Sequence, residues 1–167
     1  MLLAIITLQL SAIATKWEVQ NQAEFVVLNT SKSTQLLERK GDKTILYAND
    51  SILKNSKANK MLASYLTANF STLKEKHKLK NLIYFKENKI LLIDSSLAYP
   101  KNTNPDVLIL TQSPKINFDR LLRNIKPKIV VVDASNYKSL QKRWKATCSQ
   151  QKIPFHSTSE MGFYKIN

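Results

Sequence analysis

The chain has 167 residues, enough for one packed domain, and its 26 Lys and Arg residues against 12 Asp and Glu residues give a net charge of +14. One cysteine, Cys148, excludes an internal disulfide and a cysteine-based zinc cluster, and two glycines exclude the Gly-rich phosphate loops of the common nucleotide enzymes. The charge favours a polyanionic partner, either nucleic acid or an anionic lipid surface; a merely solvated lysine-rich surface is the alternative.

The first fourteen residues, MLLAIITLQLSAIA, form an apolar run that ends just before Lys16-Trp17-Glu18. The run is shorter than the about 20 residues that cross a bilayer, and Trp17 occupies the position of an interfacial aromatic. We interpret residues 1–18 as the remnant of the last transmembrane helix of a larger protein, and residues 19–167 as the domain that follows. A cleaved signal peptide is the alternative, although the basic segment that begins such peptides is missing.

The next part of the chain predicts strands, then a helix, then strands. Residues 23–48 have the pattern of short strands, and Gly41 supplies the positive φ that the turn after Lys40 needs. From Lys57 to about Lys76 apolar residues recur at helical spacing, which predicts one amphipathic helix with His77 at its polar end. The segment LIYFKENKILLID predicts a second two-strand unit.

Beyond Pro105 strands and helices alternate. Asn117 is a predicted N-cap, and Pro127 ends the helix that follows it. The predicted elements are a strand at 107–110, a helix at about 117–125, a strand at 129–132, a helix at about 137–150 and short strands near 155 and 163–166. The fold class is therefore α/β, with helices packed on mixed sheets.

Candidate catalytic residues are few. Asp94, Asp106 and Asp133 each begin or end a predicted strand, where they can act in catalysis or cap a turn. His156, near the end of the chain, is a candidate general base or a structural residue. A metal-independent nuclease or phosphodiesterase using Asp94, Asp133 and His156 is thus one hypothesis.

The basic residues are better organised. Lys138, Lys142 and Lys145 fall at i, i+4 and i+7 of the last long helix, with Arg143 beside them. The predicted buried face of that helix carries Tyr137, Leu140, Trp144 and Cys148. A second cluster comprises Lys74, Lys76, Lys78 and Lys80. Flexible cations on a rigid element suit contacts with phosphates, so both clusters are DNA-binding candidates.

Three segments of the tail carry a family resemblance: VVVDASNY, the WKATC segment and IPFH. With them the chain resembles the C-terminal region of the ComEC competence family, in its Bacteroidetes form, along essentially its whole length and most densely over 106–162. The resemblance implies a polytopic protein of the bacterial inner membrane that passes transforming DNA. It also implies a soluble tail on the non-cytoplasmic side and other competence proteins as partners.

Many members of that family end in a metallo-β-lactamase-like domain. The segment FVVLNTSKSTQLLERKGDKTILYAND resembles the opening unit of such a domain, with residues 29–32 at the position of its glycine-rich turn. Residues 51–80 contain no HxHxDH motif, and Thr111-Gln112-Ser113-Pro114 stands where the family has His-His-Gly-Ser. Asp94 corresponds to the family's bridging ligand.

The resemblance therefore implies a truncated, degenerate metallo-β-lactamase-like domain with vestigial-site positions at Asp94, Thr111, Gln112 and Ser113. Zinc needs three or four converging ligands, so we expect no bound metal, no cofactor and no hydrolysis. The expected role is to present a basic surface to incoming DNA. A purely structural domain that braces the channel is the third possibility.

Overall fold

The computed structural model describes residues 2–31, 33–100 and 103–167. Met1 and Lys32 lie outside the described residues. The first belongs to the predicted transmembrane remnant and the second to the stretch expected at the glycine-rich turn.

The described residues form six α-helices, one short 3-10 turn and ten strands. The helices are α1 (Leu2–Gln20), α2 (Asp50–Lys54), α3 (Lys60–Ala68), α4 (Phe118–Ile125), α5 (Lys138–Gln150) and α6 (Thr158–Met161). The strands are β1 (Ala23–Val27), β2 (Gln35–Lys40), β3 (Lys43–Ala48), β4 (Thr72–Lys78), β5 (Leu82–Phe85), β6 (Asn88–Ile93), β7 (Val107–Leu110), β8 (Ile129–Val132), β9 (Phe155–Ser157) and β10 (Tyr164–Ile166). The predicted α/β class is confirmed, and so is the order of the elements after Pro105, except that the short helix α6 between the last two strands was not predicted.

The strands form two five-stranded mixed sheets. The first has the order β10-β1-β2-β3-β4 and is antiparallel except between β3 and β4. The second has the order β5-β6-β7-β8-β9 and is parallel except between β5 and β6. Parallel pairing brings the carboxyl ends of β6, β7 and β8 to one edge of the second sheet.

Three apolar layers hold the sheets together. Alternate residues of both sheets, such as Phe25 and Leu36 in the first and Ile109 in the second, meet in a shared core. α4 and α5 cover the outer face of the second sheet, and α3 covers that of the first. β7 and β8 are buried on both faces, which explains why VLIL and IVVV are apolar without alternation.

Between Ile5 and Trp17, α1 projects large apolar side chains into solvent, and Trp17 is 70% exposed. Its last turn is fixed to the first sheet by the buried Arg39, whose Nη1 donates to the carbonyl of Val19 at 2.7 Å and whose Nε pairs with Glu24 at 3.1 Å. Gly41, at φ 63°, leaves room for the Gln20 carbonyl, which a Cβ there would approach to 2.8 Å. Among the described residues, none of the helices combines the length and the hydropathy that a membrane-spanning helix requires.

The prediction of a helix from Lys57 to about Lys76 is wrong over the second half of that range. α3 ends at Ala68, Phe70 takes a φ of 46°, and the chain then extends into β4. The Ser71 amide donates to the Leu66 carbonyl at 2.9 Å, which closes the helix end. The open side of β3 then gives β4 hydrogen-bond partners that a longer helix would forgo, so tertiary pairing overrides the local helical period.

Two side-chain placements change with this correction and with the start of α5. His77 lies on β4 rather than at a helix end, with its ring centroid 5.6 Å from that of Tyr47. Tyr137, predicted on the buried face of the last long helix, is 71% exposed. It precedes α5 in extended backbone, where the helical period no longer directs its side chain.

Candidate functional site

A buried cluster of hydroxyl groups and one carboxylate lies at the carboxyl ends of β7 and β8. Asp133 follows β8 and is only 1% exposed, while Thr111 follows β7 and Thr34 precedes β2 from the opposite sheet. The Asp133 Oδ2 atom accepts hydrogen bonds from the Thr34 hydroxyl at 2.7 Å and the Thr111 hydroxyl at 3.0 Å. The two threonine hydroxyls also contact each other. The cluster therefore joins the two sheets.

The other oxygen of Asp133 is occupied as well. Oδ1 accepts from the Ser135 hydroxyl at 2.6 Å and from the Asn136 amide group at 2.9 Å. No Lys or Arg among the described residues pairs with this carboxyl, so its burial is offset by neutral donors alone. Burial raises the pKa of Asp133 above its usual value, and the hydrogen bonds from Ser135, Thr34 and Thr111 act in the opposite direction.

The loop after β7 is tied to the loop after β8. Gln112 and Ser113 have φ values of 57° and 54°, a left-handed backbone that non-glycine residues seldom adopt. The Gln112 amide donates to the Ser135 hydroxyl and the Ser113 amide to the Asn136 side-chain oxygen, each at 2.8 Å. Such a conformation costs on the order of 1–3 kcal/mol per residue and persists because its surroundings over-determine it.

Three of the four positions expected to be vestigial are consecutive residues at this edge, and the fourth, Asp94, lies apart from the cluster. Thr111 lies in the buried cluster, and Gln112 and Ser113 line its rim. Asp94 instead caps its own turn, since its Oδ1 accepts from the Ser96 amide at 2.9 Å. Its loop reaches the rim through Ser95, whose hydroxyl lies 3.4 Å from the Gln112 side-chain oxygen.

His156 is placed away from these carboxylates. Its Nε2 lies 3.0 Å from the Gly162 carbonyl, and its ring packs against Tyr164 at a centroid distance of 5.0 Å. In the described part of the chain no hydrogen bond or ion pair joins His156 to Asp94 or Asp133. The three side chains of the nuclease hypothesis are therefore not joined by hydrogen bonds in that part of the chain.

The ligand chemistry of the cluster is poor for a transition metal. Within residues 2–31, 33–100 and 103–167 no three His, Cys, Asp or Glu side chains converge. Hydroxyl and amide groups surround Asp133, whereas zinc prefers imidazole, thiolate and carboxylate. That the protein binds no metal remains a prediction.

Sequence reasoning missed Thr34, Ser135 and Asn136 as members of this cluster. The pattern Asp133-Ala-Ser135-Asn136 after an apolar strand was the available signal, because short polar side chains bond the backbone and one another at such a turn. Thr34 carried no signal, since only the packing of the two sheets brings it within reach of Asp133.

The basic stripe of α5 is exposed, as predicted. Lys138, Lys142 and Arg143 extend into solvent, while Lys145 pairs with Glu160 at 2.6 Å. Trp144 and Cys148 are buried beneath them, and Trp144 packs on Phe118 of α4 at a ring distance of 5.8 Å. Burial raises the pKa of the Cys148 thiol to about 12, so this group stays neutral. The cations therefore stand on a helix that is firmly packed.

The segment that contains α4 and α5 is strongly basic. Residues 114–161 contain ten Lys and Arg residues against three Asp and Glu residues. A groove of about 510 Å³ runs between the start of α4 and α5, lined by Lys115, Asn117 and Arg143 among others. Asn117 caps α4 by accepting from the Arg120 amide at 3.1 Å, which confirms the predicted N-cap.

The second lysine cluster lies on β4 and on the residues that follow it. Lys76 donates to the Leu53 carbonyl at 3.4 Å, and Lys78 pairs with Asp50 at 2.9 Å. Lys74 lies 3.9 Å from Glu75, and Lys80 is exposed beyond the end of the strand. Two of these four ammonium groups are thus directed onto α2.

Comparison with protein families assigns the chain. A family model described as the ComEC C-terminal domain matches residues 25–167. The chain belongs to the ComEC C-terminal domain family. It is thereby related to the proteins of competence and DNA uptake, as the resemblance of its tail predicted. The family is generally associated with membranes. A search of curated proteins gives no significant match.

Proposed function

We propose that this domain is a non-catalytic part of a DNA-uptake protein and contacts DNA through the outer face of α5. The observation that carries the proposal is a row of exposed cations on a helix that is firmly packed on the domain. Lys138, Lys142 and Arg143 are exposed, while Trp144 fixes the helix beneath them. Phosphate contacts need mobile cations at fixed positions and no reading of bases.

The fold that we propose is a truncated metallo-β-lactamase-like domain with an emptied site. Two facing mixed sheets between outer helices support this assignment. At the expected position of the metal ligands the side chains are Thr111, Gln112 and Ser113, and they hydrogen-bond protein groups. We infer that the cluster around Asp133 stabilises the carboxyl edge of the second sheet instead of activating water.

Membrane attachment through α1 and placement at the inner membrane, with the domain on the non-cytoplasmic side, belong to the same proposal. The exposed apolar side chains of α1 support attachment to lipid or to other apolar helices. The bond from Arg39 to the Val19 carbonyl fixes the end of this helix on the domain. Other competence proteins are further candidate partners.

The DNA contact is tested by the salt dependence of binding to a duplex. Removing one phosphate contact lowers the slope of log K against log salt by roughly 1. We expect a decrease of about 2 for Lys138→Gln with Lys142→Gln, and a smaller further change for Lys145→Gln, because Lys145 is paired with Glu160. Affinity should fall equally for unrelated sequences.

The matched control is Lys40→Gln with Lys43→Gln, which removes two exposed lysines from the turn between β2 and β3. Equal losses in the two double variants would show that net charge, not the α5 face, governs binding. No affinity of the unchanged protein at low salt would reject the DNA contact and favour the channel-bracing role.

Elemental analysis and cleavage assays test the proposed absence of catalysis. Protein purified without chelators should contain no stoichiometric zinc or manganese by elemental analysis, and it should not cleave nucleic acid or phosphodiesters. A stoichiometric metal that is lost on Asp94→Ala or His156→Ala would overturn the emptied-site interpretation. Metal-independent cleavage abolished by the same changes would support the nuclease hypothesis.

A further inference from the structure

β4 is an open edge of the first sheet. It pairs in parallel with β3 on one side, and the strand order of the sheet ends with it. With seven residues it is the longest strand in the described part of the chain. Within that part no strand pairs with its outer side, and five of its seven residues are exposed. Such an edge is a template for an added strand.

The side chains of β4 lean to the two faces of the sheet rather than across its edge. Lys76 and Lys78 extend towards α2, where they meet the Leu53 carbonyl and Asp50. On the opposite face His77 lies 2.9 Å from Glu75. The strand contains no proline, and its one register shift lies near its start, opposite Thr44 and Ile45. An extended backbone can therefore approach the rest of the edge.

The surroundings of this edge are strongly basic. Residues 50–80, which form α2, α3 and β4, contain seven Lys residues against two acidic residues. α2 packs directly against β4, so the charge of Lys54 adds to that of the strand. An acidic segment laid along the edge would meet complementary charge on its flanks, and complementary charge speeds encounter and fixes register.

We propose that β4 binds an acidic peptide segment of another protein in extended conformation, as an added strand. The main-chain groups of the edge would recognise the extended backbone, and the flanking lysines would select acidic side chains. A second copy of this chain is a poor occupant, because its own β4 region carries the same excess of positive charge. The inference goes beyond the proposed DNA contact and does not rest on it.

Nucleic acid fits this edge less well than it fits α5. Lys76 and Lys78 already have protein partners, which leaves Lys74 and Lys80 of this cluster for a ligand, against three exposed cations on α5. Nucleic acid also lacks an extended peptide backbone to pair with the strand. The two lysine clusters of this protein thus serve different classes of partner.

The test uses the full chain in a mild non-ionic detergent and a labelled peptide of alternating Thr and Glu, with fluorescence anisotropy as the readout. Peptide binding should protect the amides of residues 72–78 from hydrogen exchange. Lys74→Gln with Lys80→Gln should weaken binding about fivefold, the loss expected for two exposed ion pairs. The only ion pair of Lys74 in the described residues is with the exposed Glu75, so this variant should keep its fold.

Two controls separate strand addition from general attraction. The same peptide with alternate amides N-methylated keeps its charge but cannot pair as a strand, and it should bind much more weakly. Lys138→Gln with Lys142→Gln should bind the peptide as the unchanged protein does. Equal binding of the methylated peptide, no effect of the Lys74 and Lys80 changes, or protection of α5 instead of β4 would each overturn the proposal. So would protection of the β4 amides by an oligonucleotide but not by the peptide.

Discussion

The carboxyl edge of the second sheet and the outer face of α5 are adjacent in sequence and opposite in character. At the edge, the buried Asp133 has both oxygens occupied by neutral donors. Five residues further on, α5 begins, and its lysines are exposed. The first region is suited to holding loops and sheets together, and the second is suited to meeting a ligand. We propose that the edge of the sheet where α/β folds usually hold their chemistry serves stability in this domain, while the proposed binding surface lies on a helix face.

The largest effect should come from the support of the helix. Trp144→Ala removes a buried indole that packs on Phe118, and we expect a loss of about 3–5 kcal/mol in the free energy of unfolding. DNA affinity should fall with it, because the lysines lose their fixed positions. Chemical denaturation measures the stability. A stable variant that still binds DNA normally would show that the rigidity of α5 is unimportant.

The second effect concerns the buried cluster. Asp133→Ala leaves the hydroxyls of Thr34 and Thr111 without their shared acceptor, and we expect a loss of roughly 1–3 kcal/mol. At temperatures where the variant is folded, its DNA affinity should equal that of the unchanged protein. Thermal unfolding and duplex binding are the two measurements. If Asp133→Ala left the stability unchanged but abolished DNA binding, Asp133 would belong to a functional site instead.

The pH dependence of the free energy of unfolding gives a second test of the structural role of Asp133. Because burial raises the pKa of Asp133 in the folded protein above its ordinary value, the folded protein binds this proton more tightly than the unfolded chain does. The contribution of this proton to the free energy of unfolding is fully present below the pKa that Asp133 has in the unfolded chain. It is lost as pH rises through the pKa that Asp133 has in the folded protein. The free energy of unfolding of the unchanged protein, minus that of Asp133→Asn, should therefore decrease as pH rises over that range. Denaturation at several pH values measures both free energies. A difference that increases with pH would mean that the carboxylate form is favoured by folding.

The smallest effect on stability should come from the exposed face. Lys138→Gln with Lys142→Gln should change the free energy of unfolding by less than about 0.5 kcal/mol, since neither side chain is buried and exposed charges contribute little. The same variant should show the loss of DNA affinity described above. A large destabilisation would mean that these lysines take part in the fold, and the contrast between the two regions would then fail.

The sequence by itself determined the α/β class, the alternating elements after Pro105, the N-cap at Asn117, the burial of Trp144 and the ComEC family. These follow from local features of the sequence, because hydrophobic periodicity, capping residues and the segments shared with the family each involve only nearby positions. Only the tertiary structure decided that residues 72–78 form a strand, since the open side of β3 outweighs their helical spacing. It alone brought Thr34 to Asp133, because residues 99 positions apart meet only when the two sheets pack face to face. It also separated the two lysine clusters, one exposed on a packed helix and one directed partly onto α2, which charge counts along the chain cannot distinguish.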